Sequence, residues 1–331
     1  MDNIKDKLRK STFIVNKIYL FLIFLFLALA DFGLGLIYFI ISGIIYLWKT
    51  LTSTVPMDVN CDVDMETFIY KETDDKDLKI DVYFPPNRAN EKSPLVYFCH
   101  GGGWISGFRN QPNNISWCKF LACKGFVVSS IDYRYGYKND MDDILSDYNA
   151  GLGFMKDKSD QLAIDQNNIV LMGLSAGGHL SLLYATYNSF LEHEDRMQGI
   201  KAVVGYYSPS NLKDMFVSDN KSLFAKFGTA RTLNGLPTDI EEIYDYYSPI
   251  NWVSDKMIPT LLVHGKLDNT VPFESSVNLV KKLNKNGIAT EFYVHKNADH
   301  SFDTRLKDLT TINILEKTVR YIKKSVLGDN R

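Results

Sequence analysis

One serine of this sequence lies in a setting that is typical of an enzyme nucleophile. Ser175 is the centre of the pentapeptide G-L-S-A-G at residues 173–177, a G-x-S-x-G pattern. An unbroken apolar run over residues 169–172 precedes it, and a helix-compatible segment follows from residue 178. A sharp strand-to-helix turn of small residues exposes the hydroxyl and points the first free N–H groups of the helix at charge that forms beside it. We therefore predict that Ser175 is a nucleophile.

A serine hydroxyl needs a base, and the base needs an acceptor that holds it in one tautomer. Of the six histidines, only His300 follows a late predicted strand and lies downstream of a candidate acid. Asp268 follows a strand end and can reach His300 from another loop, whereas Asp299 and Asp303 lie beside the histidine in the same loop. We predict a catalytic triad of Ser175, Asp268 and His300.

Three consecutive glycines follow an earlier predicted strand without a gap. They belong to the segment H-G-G-G-W at residues 100–104. Such a run is a poor choice for any regular element because glycine loses the most chain entropy on folding. It lets backbone N–H groups approach an anion closely, which favours a functional loop; an ordinary flexible turn is the alternative.

The elements that must position these residues alternate along the chain. Apolar runs predict strands at 79–84, 95–99, 126–131, 169–172, 202–206, 260–264 and 291–295, and helical spacing predicts helices near 144–155, after 178, at 275–283 and at 310–325. Alternation of this kind predicts a mostly parallel sheet with helices on both faces and functional groups at the carboxyl ends of the strands. The aromatic-rich stretch 211–256 interrupts the alternation and is either a small cap over the site or a surface excursion.

Composition excludes some classes of function. The 331 residues suit one α/β domain after an amino-terminal segment, and a net charge of -2 with dispersed Lys and Arg argues against a nucleic-acid partner. The four cysteines lack C-x-x-C spacing and are accompanied by no histidine cluster, so we expect no metal site. They show no evident disulfide pattern, and Cys99, in an apolar strand-like run, is predicted to be a small core residue. Composition does not specify an oligomeric state.

The amino-terminal segment predicts a membrane anchor. Between residues 18 and 48 only Asp31 is charged, and the run is long enough for one tilted span. Basic residues precede it (Lys5, Lys7, Arg9, Lys10, Lys17) and acidic residues follow it (Asp58, Asp62, Asp64, Glu66). The positive-inside rule then places the main domain outside the cytoplasm. Asp31 divides the run, and a carboxylate is costly in lipid, so a shallow hairpin with a cytoplasmic domain is the alternative. The absence of a disulfide pattern slightly favours this alternative, because free thiols are safest in a reducing compartment.

These boundaries give a basic cytoplasmic tail at 1–17, an anchor at 18–48, a connector at 49–66 and a catalytic domain at 67–326. Within that domain the motifs HGGGW, GLSAGGH, HGKLDNTVP and NADHSF together resemble the α/β-hydrolase superfamily. The resemblance is to its esterase/lipase branch, similar to hormone-sensitive lipase and to bacterial feruloyl-esterase-like carboxylesterases.

The resemblance implies an α/β-hydrolase fold, no cofactor, and an oxyanion hole formed by the backbone N–H groups of Gly102, Gly103 and Ala176. Two departures concern the substrate class. The segment D-Y-R-Y-G at 132–136 lacks the proline of the family pattern D-Y-R-L-A-P, and Leu174 stands where many relatives carry an acid.

The function that the sequence predicts is that of a membrane-anchored serine carboxylesterase acting on a small-molecule or lipid-like ester through an acyl-enzyme. An amidase similar to kynurenine formamidase, whose family carries similar motifs, is one alternative. A non-catalytic scaffold with a hydrolase fold is another, and the presence of all three triad residue types argues against it.

Overall fold

The computed structural model describes residues 17–26, 29, 37–38, 40–41, 53–57, 59–86 and 92–328. Chain contacts divide the protein into two units, Met1–Ser53 and Thr54–Arg331. In the first unit, residues 17–26 are helical. Most of the predicted anchor at 18–48, including Asp31, and the tail at 1–16 lie outside the described residues. Within the described part of the chain, no helix is both long and apolar enough to span a bilayer.

An eight-stranded sheet forms the centre of the second unit. Its strands are β1 (Met65–Lys71), β2 (Leu78–Tyr83), β3 (Ser93–Cys99), β4 (Val127–Ile131), β5 (Ile164–Leu174), β6 (Ile200–Tyr206), β7 (Thr260–Gly265) and β8 (Thr290–His295). Their spatial order is β1-β2-β4-β3-β5-β6-β7-β8. The pairs β1–β2 and β2–β4 are antiparallel and the other five are parallel. The prediction of a mostly parallel sheet is confirmed.

Helices cover both faces of this sheet. They are α1 (Pro112–Ala122), α2 (Met141–Asp157), α3 (Ala176–Phe190), α4 (Glu194–Met197), α5 (Leu223–Leu233), α6 (Glu241–Tyr246), α7 (Phe273–Lys285) and α8 (Leu309–Leu327). Because side chains alternate along a strand, β3 sends Leu95 and Tyr97 into the core beneath α2 and α3, and Val96 and Phe98 into the core beneath α1 and α8. Two apolar layers therefore hold the sheet rigid.

The segment 211–256 contains α5, α6 and two short 3₁₀ helices, Leu212–Phe216 and Pro249–Trp252. Helix α5 lies against residues 100–104, the H-G-G-G-W segment, which we call the glycine loop. A Cβ placed on Gly228 would lie 2.7 Å from the carbonyl oxygen of Gly103, and one placed on Gly103 would lie 3.0 Å from ring carbons of Phe224. The segment therefore reaches the loop that we predicted to be functional.

The structure contradicts the expectation drawn from the cysteines. Cys61 and Cys123 form a disulfide whose Cα atoms are 6.0 Å apart. The two residues are 62 positions apart, so local spacing gives no sign of the pairing. Cys99 and Cys118 are buried free thiols, which confirms the prediction that Cys99 is a core residue.

Candidate active site

Ser175 occupies a tight turn between β5 and α3. Its backbone angles, φ 52° and ψ -117°, are sparsely populated for a residue with a side chain. The flanking glycines make the turn possible. A Cβ on Gly173 would lie 2.2 Å from backbone atoms of Gly177, and a Cβ on Gly177 would lie 2.2 Å from the carbonyl oxygen of Cys99. The G-x-S-x-G pattern is therefore a packing requirement that leaves Ser175 partly exposed at the end of the strand.

The structure brings the predicted base to this serine from 125 residues away. Nε2 of His300 lies 3.0 Å from Oγ of Ser175, and Nδ1 of His300 lies 2.7 Å from Oδ2 of Asp268. A carboxylate can only accept, so Nδ1 carries the proton and Nε2 is free to accept from the serine hydroxyl. This is the arrangement that a general base requires.

The carboxylate of Asp268 is buried and fixed. Its Oδ1 accepts the backbone N–H groups of Thr270 at 2.8 Å and Val271 at 2.9 Å. Burial raises the pKa of Asp268, but the charge of His300 and the hydrogen bonds from His264 and His300 outweigh burial and hold that pKa well below its usual range. Asp268 is therefore ionised at neutral pH and can stabilise an imidazolium.

The two other aspartates near His300 have different partners. Asp299 accepts the backbone N–H of His300 at 2.7 Å through its Oδ1. Asp303 is buried, and it accepts from the indole N–H of Trp117 at 2.6 Å and from the hydroxyl of Tyr207 at 2.8 Å. Burial raises the pKa of Asp303. Among these three acids, Asp268 is the one whose carboxylate is hydrogen-bonded to the imidazole of His300.

The glycine loop lies beside the serine. A Cβ on Gly101 would lie 3.2 Å from Cβ of Ser175, and the positive φ angles of Gly102 (128°) and Gly103 (60°) form the turn that follows. Among the hydrogen bonds of the described residues, none uses the backbone N–H of Gly102, Gly103 or Ala176. Ala176 is the first residue of α3, where backbone N–H groups have no partner within the helix. Within the described residues, the backbone N–H groups of these three predicted oxyanion residues therefore have no protein acceptor.

Two buried histidines support the site without touching the serine. Nδ1–H of His100 donates to the carbonyl of Gly101 at 2.7 Å, and its ring stacks on Tyr133 at 4.3 Å between centroids. Nε2–H of His179 donates to the carbonyl of Tyr247 at 2.7 Å. Burial lowers the pKa of each histidine to about 4, so both are neutral at pH 7. They hold the glycine loop and the segment 211–256 in place.

The segment at 132–136, which departs from the family pattern, has a structural role. The guanidinium of Arg134 donates to the buried carboxylate of Asp147, with Nε 2.8 Å from Oδ2. Asp132 accepts from Arg109 at 2.7 Å. These ion pairs tie the end of β4 to α2 and to the loop after β3, and neither contacts the serine.

Comparison with known proteins assigns the family. The BD-FAE family model matches residues 80–283, which is more than half of the chain. The chain belongs to the BD-FAE family. Its fold is the α/β-hydrolase fold, as the motifs predicted, and it is similar to a thermophilic esterase of Thermogutta terrifontis with a TM-score of 0.64 and 23% identity, over 80% of this chain and 95% of that one.

Several curated relatives of this BD-FAE family member are esterases by name, and two others are named as non-reducing polyketide synthases. Esterase LipC of Mycobacterium tuberculosis is 28% identical over 240 residues, which cover 70% of this chain and 58% of LipC. A probable isoprenylcysteine alpha-carbonyl methylesterase of Oryza sativa subsp. japonica is 26% identical over 247 residues, which cover 70% of this chain and 55% of the relative. The match therefore spans little more than half the length of these two esterases.

One residue of this BD-FAE family member escaped the prediction. His264, in β7, lies with Nε2 3.1 Å from the same Oδ2 of Asp268 that receives His300. The sequence places His264 four residues before Asp268 in HGKLDNTVP, where its apolar neighbours predict only that it belongs to a strand. That spacing, at the end of a strand that carries a triad member, was the available signal.

Proposed function

We propose that this BD-FAE family member is a serine carboxylesterase. The proposal depends on one observation, the imidazole of His300 hydrogen-bonded to Ser175 at 3.0 Å on one side and to Asp268 at 2.7 Å on the other. The family assignment and the esterase names of the relatives support it. The unpaired N–H groups beside Ser175 supply a place for developing negative charge.

In the first half of the reaction, Oγ of Ser175 attacks the ester carbonyl while Nε2 of His300 takes the serine proton. The carbonyl oxygen becomes an oxyanion facing the N–H groups of Gly102, Gly103 and Ala176, each contributing on the order of 3 kcal/mol to lowering the barrier. Asp268 stabilises the imidazolium. The ester C–O bond then breaks, His300 returns the proton to the leaving alcohol, and the acyl group remains on the serine.

In the second half, water replaces the alcohol. His300 takes a proton from the water as its oxygen attacks the acyl-enzyme, and the second tetrahedral intermediate uses the same N–H donors. Collapse of that intermediate releases the carboxylic acid and returns the proton to Oγ of Ser175. Every proton that leaves an attacking group returns to a leaving group, so no cofactor is consumed.

The test uses the full chain purified in detergent. Wild type should hydrolyse p-nitrophenyl butyrate and be labelled by a fluorophosphonate probe, and Ser175→Ala should lose labelling and roughly 10⁴-fold or more of kcat. His300→Gln should lose activity to a similar degree. His193→Gln should retain activity, because the ring of His193 is hydrogen-bonded to Asn188 and not to a residue of the triad. Equal rates in wild type and Ser175→Ala would contradict the proposal. Comparison of the butyrate ester with an aryl formamide decides between esterase and amidase.

We further propose that the amino-terminal segment anchors the enzyme in a bilayer and that the catalytic unit lies outside the cytoplasm. The described helix at residues 17–26 exposes apolar side chains such as Ile18, Phe21 and Phe26, a pattern that suits a lipid environment. The Cys61–Cys123 disulfide supports an oxidising compartment. The lack of a disulfide pattern in the sequence therefore no longer favours the cytoplasmic hairpin.

Topology can be tested in intact cells. A protease-cleavable tag at the carboxyl terminus should be removed by external protease in intact cells or spheroplasts, and the Cys61–Cys123 pair should resist maleimide until it is reduced. A tag that is protected until the membrane is lysed, together with free thiols at both positions, would favour the hairpin.

A further inference from the structure

A second histidine contacts the acid of the triad. His264 comes from β7, and its Nε2 lies 3.1 Å from Oδ2 of Asp268, the oxygen that also receives Nδ1–H of His300 at 2.7 Å. The side chains of His264 and Asp268 are both 0% exposed, so no solvent competes for this contact. We propose that His264 is a positioning residue of the triad, whose N–H sets how strongly Asp268 holds a proton on His300. This inference rests on the proposed function.

The partners of His264 fix its tautomer. Nε2 also lies 3.2 Å from the backbone carbonyl of Val271, and both that carbonyl and the carboxylate of Asp268 can only accept, so Nε2 carries the proton. Nδ1 lies 2.7 Å from Oγ of Ser276 and accepts its hydroxyl proton. The edge of the ring packs against Phe273 at 5.7 Å between centroids. The imidazole of His264 is thereby held as a donor to the triad.

The consequence concerns the charge that faces His300. Oδ1 of Asp268 accepts two backbone N–H groups and Oδ2 accepts two imidazole N–H groups, which fills the acceptor positions of a carboxylate. An N–H from His264 withdraws part of the negative charge of Oδ2, so less of it stabilises the imidazolium of His300. Removal of this N–H should therefore leave more negative charge facing the imidazolium of His300.

Other ionisable groups lie on both sides of this pair. On the His264 side, Asp214 lies near Ser275, the residue before Ser276 in α7, and near Glu274. Asp299 accepts the backbone N–H of His300, and Asp303 lies behind Tyr207, whose ring packs on His300 at 4.5 Å between centroids. None of these four carboxylates is among the hydrogen-bond partners of His264. A displaced pH dependence in a His264 variant therefore reports the contact between His264 and Asp268.

The experiment measures the rate of fluorophosphonate labelling of Ser175 against pH in the full chain, together with kcat/KM for p-nitrophenyl butyrate. His264→Leu removes the donor. The acid limb of the pH–rate profile, where the rate falls as the pH drops, should then move upward by about one pH unit, which is a tenfold loss of rate at a given pH on that limb. His264→Gln, which keeps an amide N–H, should return the limb toward wild type. A structural role alone would lower the rate and leave the limb where it is.

A milder variant protects against misfolding. Ser276→Ala removes the hydroxyl that donates to Nδ1 of His264, which weakens the Nε2–H donor and should move the acid limb in the same direction by a smaller amount. If His264→Leu folds and its pH–rate curve superimposes on that of wild type, the inference is overturned. If His264→Leu does not fold, a Ser276→Ala curve that superimposes on that of wild type overturns it instead. A wild type that the probe never labels would overturn the proposed function as well, whereas superimposed curves in labelled proteins overturn only the role of His264.

Discussion

Replacing Asp268 by asparagine gives a sharp test because the surroundings dictate how the new amide must sit. The backbone N–H groups of Thr270 and Val271 point at the Oδ1 position, so the amide oxygen must occupy it. The amide NH₂ then faces Nδ1 of His300 and Nε2 of His264, the two nitrogens that donate to Oδ2 in the wild type, and each of them has to become an acceptor. The proton of the His300 imidazole moves to Nε2, opposite the hydroxyl of Ser175. An imidazole in that tautomer cannot take the serine proton.

The magnitude follows from that tautomer. In a serine protease triad the same exchange leaves the geometry intact and costs roughly 10⁴-fold in kcat, which is about 5.4 kcal/mol of barrier at about 1.36 kcal/mol for each factor of ten. KM should change little, because the side chain of Asp268 is fully buried behind His300 and offers no surface to a substrate. We therefore expect Asp268→Asn to lower kcat and kcat/KM by similar factors.

The assay is steady-state hydrolysis of p-nitrophenyl butyrate by the full chain in detergent. Asp299→Asn is the matched control, because its amide oxygen can still accept the backbone N–H groups of His300 and Asn269, and we expect it to lose less than about tenfold. The reasoning is refuted if Asp268→Asn, with an unchanged unfolding midpoint, keeps more than about a tenth of the wild-type kcat, or if Asp299→Asn loses as much as Asp268→Asn.

Three further predictions concern other parts of the molecule. Phe224 lies over the glycine loop, so Phe224→Ala should lower the ratio of kcat/KM for p-nitrophenyl octanoate to that for the acetate by about tenfold; an unchanged ratio would show that the acyl chain runs elsewhere. Replacing both Cys61 and Cys123 by alanine should lower the free energy of unfolding by about 4 kcal/mol, since the bond closes a long loop, and denaturant titration measures it against wild type with and without reductant. Burial lowers the pKa of His179 to about 4, so between about pH 6.5 and about pH 4 the unfolded chain binds more protons than the folded chain. The contribution of His179 to stability is therefore complete above that window and is lost as the pH falls through it. His179→Gln, which keeps an N–H for the carbonyl of Tyr247, should lose less stability between about pH 7 and about pH 4; an equal loss would assign the effect to other groups.

The sheet was predictable because most of its strands are buried on both faces and read as continuous apolar runs. The edge strand β1 was missed for the opposite reason, since its side chains are mostly exposed or half-buried and carry little pattern. Helix α1 was also missed. Its buried residues include a polar one, Asn114, and then run almost continuously from Trp117 to Ala122, so the spacing of a single helical face is absent.

The proximity of the triad residues was predictable from topology. Parallel strands end at one edge of a sheet, so Ser175 after β5 and Asp268 after β7 had to lie close together, and His300 follows β8 beside them. The Cys61–Cys123 disulfide was not predictable, because two cysteines 62 positions apart can meet only through the fold. The contact of His264 with Asp268 depends on how one strand side chain points relative to the loop that follows, which alternation alone does not specify.

The residues that position the base and the residue that is expected to affect which esters bind lie in different elements of the fold. Asp268 is held by four N–H donors, and His300 is held by Asp268, by the backbone bond to Asp299 and by the ring of Tyr207, so the base is positioned before a substrate arrives. All of these groups lie in β6 to β8 and the loops that follow them. The half-exposed ring of Phe224 belongs instead to α5 in the segment 211–256. Because the two parts are built from different elements, changes in α5 should alter which esters bind while the rate on small esters is retained, and changes around Asp268 should lower the rate on every ester alike.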